Sequence, residues 1–214
     1  PDHKTKQRLG VLLADFEDTC ALVKGADPRL IGYEHFLHAL LLSWHAPDET
    51  TQEERQRRAD YAVSLFGSAY AIWEEAEHVF WLPLIPLLIA ETYALTFQLE
   101  TGTPTLAQSQ TVLDFAQTAY FHQLQSVSGF GWDRCVALQM ECLAVQIRLH
   151  HALGEIEKAT DCVEWVSITH NMWISVEGEG RKNVRVKRAF RRLAELLSRI
   201  GLYTPREVSD ELEK

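Results

Sequence analysis

A chain of 214 residues with 46% apolar content is long enough to bury a core, too apolar for disorder, and of a length that suits one domain. Its net charge of −9 and pI near 5.5 exclude a general polyanion binder. The longest apolar run, Val79 to Ala90, carries Pro83 and Pro86 and falls well short of the roughly 20 residues that cross a bilayer, which excludes a membrane partner.

Apolar residues recur at steps of three and four, the period of a helix that buries one face, so the expected fold class is all-α. In chain order, helices are predicted at about 3–24 and 29–45, parted by Asp27-Pro28, because the residue before proline resists the helical conformation. Ala46-Pro47-Asp48 ends the second, and Thr50 or Thr51 caps a third over 50–78 with Glu53 or Glu54 in its first turn. Pro83 and Pro86 lack amide hydrogens and force a restart near Trp81, giving a helix over 84–100. The next two cover 104–127 and 132–153, joined through Gly129 and Gly131. A helix over 155–174, a loop over 176–183, and helices over 183–200 and 205–213 complete the chain.

The polar start, with Asp2, His3, Lys4, Lys6 and Arg8, has no secretory pattern, so a cytoplasmic location is expected. Four cysteines at positions 20, 135, 142 and 162 show no Cys-x-x-Cys spacing and read as reduced thiols. Cys135 and Cys142 share a helical apolar series with Leu138, Val145 and Leu149, which makes them packing residues.

Three glycines mark a repeat. Gly102, Gly154 and Gly201 each follow an amphipathic helix and precede another, at intervals of 52 and 47 residues. Each is expected to take the left-handed position that ends a helix, with Thr103 and Thr204 capping the next and Pro104 and Pro205 at its first position. The segment Leu143 to Val166, LAVQIRLHHALGEIEKATDCVEWV, resembles a tetratricopeptide-type repeat unit through Gly154, Ile156 and Ala159; Gly102 and Ala107 repeat the offset. Val163 and Val166 stand where that family has an aromatic residue and an alanine, and the interval near 50 exceeds the family's, about 34. The resemblance implies stacked antiparallel helical hairpins, an α-solenoid of eight or nine helices, in one domain with a possible subdivision at residues 80 and 81.

No Gly-x-Ser-x-Gly, His-Glu-x-x-His, phosphate-loop or dinucleotide fingerprint occurs, so the chain is not read as an enzyme and no cofactor is expected. Glu75 and His78 form a Glu-x-x-His pair of the kind found in di-iron bundles, and His35 with His38 has similar spacing. A di-iron site needs a second such pair, which the sequence lacks; a metal-dependent bundle enzyme stays only as an alternative. His150 and His151 suit the negative end of a helix dipole better than catalysis.

The sharpest anomaly is a charge run. Arg181, Lys182, Arg185, Lys187, Arg188, Arg191 and Arg192 place seven of the 21 basic residues within twelve positions, with no acid among them. The same helix carries Val186, Phe190, Leu193, Leu197 and Ile200 as an apolar stripe, so the cations project outward. Three readings compete for them: local pairing with acidic neighbours, docking of an acidic protein segment through guanidinium forks, and phosphate contact with nucleic acid. Six tryptophans are many for this length; most suit interhelical packing, while Trp81 and Trp173 are candidates to line a groove.

The resulting expectation is a protein-interaction module or scaffold whose groove accepts a peptide or partner helix with an acidic segment. The groove would draw on Tyr93, Phe97 and Gln98, on Gln139 and Gln146, on Trp173, and on the basic row from Arg181 to Arg192. The alternative is a nucleic-acid-associated regulatory subunit that uses the same basic helix.

Overall fold

The structure, a computed structural model, describes residues 2–23, 27–49, 51–99, 101–125, 131–177 and 184–205, apart from the side chains of 17, 19–23, 123–125 and 172–177. Among the described residues the regular structure is helical, with no strand. The helices are α1 (His3–Val23), α2 (Pro28–His45), α3 (Gln52–Glu75), α4 (Ile85–Thr96), α5 (Leu106–Gln125), α6 (Trp132–Ala152), α7 (Ile156–Glu177) and α8 (Val184–Ile200). The helix expected over 205–213 lies outside the described residues. None of the described helices is long and apolar enough to cross a membrane.

Capping chemistry sets the helix starts. Asp27 accepts from the Arg29 amide at 2.9 Å ahead of Pro28, and Thr51 accepts from the Glu54 amide at 3.2 Å. The α5 start differs from the expected Thr103-Pro104 pair. Thr105 accepts from the Gln108 amide while the Gln108 side chain accepts from the Thr105 amide, a reciprocal capping box that wins over proline because it satisfies two orphan donors at once.

The ends also depart from expectation in two places. α3 stops at Glu75, and Glu77 takes a left-handed φ of 52°, so His78 leaves the helix and the Glu75–His78 pair does not share a helix face. α4 stops at Thr96, and the left-handed residue there is Gln98, φ 51°, not Gly102, whose amide donates back to the Gln98 carbonyl at 2.7 Å. Gly154 and Gly201 do adopt left-handed φ values, 76° and 72°.

The chain divides into two compact units, Pro1–Thr96 and Phe97–Lys214, so α4 belongs to the first unit and the division falls after it instead of near residue 80. The prolines near 83 restart a helix within a unit; they do not end one. In the first unit α2 and α3 form an antiparallel pair, with α1 against α2 and α4 against α3. Ala59, Ala62, Phe66, Ala69 and Trp73 are fully buried along one seam of α3 at alternating steps of three and four.

In the second unit α5, α7 and α8 each pack on α6. The sequence of α6 explains its place. Cys135 through Met140 are buried without interruption, as expected of a helix apolar on nearly every side. Cys135 and Cys142 are buried and not joined in a disulfide, which fits the packing role read from their spacing, and Cys162 is buried as well.

Candidate functional site

The basic helix supplies one wall of a groove. α8 buries Val186, Ala189, Phe190, Leu193 and Leu197, the expected stripe, and this fixes its cations on the remaining arc. Arg188, Arg191 and Arg192 are exposed, and Arg185 and Lys187 are half-buried. Arg185 Nε lies 3.7 Å from Glu141 Oε1 on α6, a local ion pair of the plain kind.

Between α6 and α8 runs a cavity of about 280 Å³. Its apolar floor comes from Leu99, Met140, Ala144, Val145, Ala189 and Leu196, and its charged rim from Glu141, Arg148, Arg192, Glu195 and Arg199. Arg148 and Arg199 form no ion pair with any described residue. Three guanidinium groups around an apolar strip suit a ligand that brings carboxylates on an apolar body, since guanidinium forks bind carboxylates bidentately. The α6 face contributes because Glu141, Val145 and Arg148 fall on one side at steps of four and three.

The other expected groove residues go elsewhere. Tyr93 belongs to the first unit, where its hydroxyl donates to Asp60 Oδ1 at 3.1 Å. Burial, with the Asp60 carboxylate beside it, pushes its pKa up to about 12. Phe97 is buried in the second unit, and Gln98 forms the left-handed turn. Arg181, Lys182 and the Trp173 side chain lie outside the described residues. Trp81 is half-buried against Phe36 and Phe80, and its indole N–H donates to the Tyr33 hydroxyl at 3.0 Å, so it serves a first-unit aromatic cluster.

Gln139 and Gln146 are buried on the side of α6 opposite the basic groove, so they do not join the arginine row. Gln146 lines a second concavity of about 380 Å³ between α5 and α7, with Gln110, His150, Lys158, Cys162 and Trp165. Its Nε2 donates to Gln110 Oε1 at 2.9 Å, and its Oε1 accepts from the Cys162 thiol at 3.7 Å. Burial, with Asp161 nearby, pushes the Cys162 thiol up, so it stays protonated and able to donate. At one end His150 Nδ1 lies 2.6 Å from Glu155 Oε2, and Lys158 Nζ donates to Glu155 Oε1 at 2.8 Å. These two hydrogen bonds, Lys158's first, hold the Glu155 carboxyl below the usual range.

Metal chemistry gains no support from the geometry. His78 Nε2 lies 2.7 Å from the Tyr33 hydroxyl, and among the described residues no three His, Cys, Asp or Glu side chains gather in a metal-binding group. Sequence reasoning missed Arg148 and Arg199. A signal existed for Arg148, because Glu141 and Arg148 are ionic interruptions of the helix richest in buried residues. The chain matches no family model, no curated protein and no solved structure.

Proposed function

We propose that the second unit is a protein-interaction module in a tetratricopeptide-like helical repeat, and that the α6–α8 groove binds an acidic amphipathic segment of a partner protein. One observation carries this reading: an apolar floor rimmed by Arg148, Arg192 and Arg199, with two of these guanidinium groups in no ion pair with a described residue. A partner helix with leucines on one face and glutamates beside them would fill the strip and neutralise the rim. Glu141 and Glu195 at the rim favour a partner of mixed charge over a uniform polyanion, because a phosphate backbone would meet their repulsion.

The test is retention of partners from the protein's own cells on immobilised wild type and on Arg148→Glu and Arg192→Glu. A partner held through the groove is lost from both variants by about tenfold or more, the loss expected for a charge-assisted contact of roughly 1.5–3 kcal/mol. Retention that survives both charge reversals removes the reading.

A second reading rests on Arg188 and Arg191, which are not among the residues that line the groove, are exposed, and have no ion pair to a described residue. They suit phosphate contact in a nucleic-acid-associated subunit. Retention of a duplex oligonucleotide that falls steeply with salt and collapses in Arg188→Glu would favour it.

A further inference from the structure

The end of α8 turns the chain back on itself. The amide of Gly201, left-handed at φ 72°, donates to the Ser198 carbonyl at 3.4 Å, and the Leu202 amide donates to the Leu197 carbonyl at 3.0 Å. This pair of bonds is the Schellman reversal, which closes a helix and sends the chain out of its direction. The end of α6 has the same pair: the Gly154 amide donates to His151 at 3.0 Å and the Glu155 amide to His150 at 2.9 Å. There the following helix, α7, returns to pack on the helix it left. After Gly201 the chain has not left for solvent by Pro205, which is buried.

The sequence that continues from Pro205 has the chemistry that suits the groove beside α8. Residues 206–214, REVSDELEK, lie outside the described residues. From Glu207 to Glu213 they carry four acids and no base. In the helix that the Thr204-Pro205 start predicts, Val208 and Leu212 fall one turn apart on one face, and Glu207 and Glu211, also four apart, border it. An apolar strip with a row of carboxylates beside it complements a floor of Met140, Val145 and Leu196 rimmed by guanidinium groups. Arg148 and Arg199 on that rim pair with no described residue. Length agrees as well: the seven residues from Arg192 to Arg199 rise about 10.5 Å, and a helix over 206–213 is about 12 Å long.

We propose that residues 206–214 fold back into the α6–α8 groove of their own chain, as an internal ligand that a partner's acidic segment has to displace. The proposal rests on the reading of this groove as a site for an acidic amphipathic segment, and adds its regulation. Tethering makes weak contacts sufficient, because a segment joined through so short a connection has an effective concentration in the millimolar range. A partner's apparent affinity is then lowered by the fraction of grooves already filled, and whatever draws the segment away restores it.

The experiment uses the full chain and two fluorescent peptides. One copies residues 205–214; the other has an unrelated sequence with two leucines four apart, bordered by glutamates. The full chain carrying Glu207→Lys and Glu211→Lys is expected to bind both peptides at least tenfold more tightly than wild type, and adding Arg148→Glu abolishes that binding. A glutamate-specific protease supplies an independent measurement: cleavage after Glu211 is expected to be at least tenfold faster in Arg199→Glu than in wild type, at a rate independent of protein concentration. Arg148 and Arg199 are exposed, so their reversal leaves the fold intact. If the unrelated peptide binds wild type and the lysine variant equally, and is lost with Arg148→Glu, the internal ligand is overturned while the reading of the groove stands. If no form binds either peptide, both fall. Equal cleavage of wild type and Arg199→Glu overturns the internal ligand, and so does protection of Glu211 that grows with protein concentration, since a second copy's segment then fills the groove.

Discussion

Single side chains in this protein decide how close two helices come and which proton stays on. A Cβ built on Gly32 of α2 would overlap the Trp73 indole, whose N–H donates to the Arg29 carbonyl at 3.2 Å, so α2 and α3 meet at a spacing that only glycine permits. Gly32→Ala is expected to lower stability by about 1–3 kcal/mol, the usual range for overpacking, read as an earlier urea midpoint. Gly10 and Gly67 would meet nothing within 4 Å, and alanine at either is expected to be neutral or mildly stabilising in the same assay. Tyr93 gives a titration with a definite sign. Its folded pKa of about 12 lies above the ordinary 10.0, so the neutral phenol is favoured by folding, and that contribution is lost as pH rises from 10 towards 12, where the unfolded chain ionises first. Ultraviolet titration should show one phenol ionising about two units late; Asp60→Asn should bring it part of the way back, since burial is the larger cause.

At the scale of the helix, the reversals separate what a sequence states from what it hides. The breaks at Pro28, Pro47 and Pro83 were legible because proline removes a donor wherever it stands, and Gly154 and Gly201 were legible because a glycine after an amphipathic helix has one common use. Gln98 was not legible. A non-glycine residue takes the left-handed position only when its surroundings enforce it, and the Gly102 amide bonding to the Gln98 carbonyl is such an enforcement, invisible from composition. The same holds for His78: Glu77 turns left-handed where spacing alone extends α3, and the tyrosine that meets His78 comes from α2. These geometries predict opposite outcomes at two reversals. Gly154→Ala places a Cβ in the left-handed region and is expected to cost about 1–2 kcal/mol, whereas Gln98→Gly removes such a strain and is expected to gain up to about 1 kcal/mol after the added freedom of the unfolded chain. Urea midpoints that shift the same way in both variants would contradict this account of the turns.

Across the whole molecule the division of labour follows where the apolar and charged residues are concentrated. The α8 cations were legible because they are contiguous, but the groove they wall was only half visible: Arg148 is a lone charge on α6, and its nearness to Arg192 and Arg199 is a product of packing. Gln139 and Gln146 show the converse, since hairpin reasoning placed them with the arginines and burial turned them to the opposite side of α6. Each unit carries its own interior, the first around Phe66, Trp73, Ile85 and Leu87, the second around Leu138, Met140, Ile147 and Phe190. The second exceeds by a wide margin the roughly 60 residues at which isolated domains become marginal, and its central helix is covered by helices of the same unit. A fragment spanning 97–214 is therefore expected to fold by itself, with a helical circular dichroism spectrum and a cooperative urea transition. In the intact chain, fluorescence of the buried Trp73, followed in variants that lack the other tryptophans, should unfold with a midpoint distinct from that of Trp132 in the second unit, because separate cores need not melt together. Coincident transitions from both reporters, together with a fragment that shows no cooperative unfolding, would mean that the two interiors are one thermodynamic unit and that the groove cannot be studied apart from the first ninety-six residues.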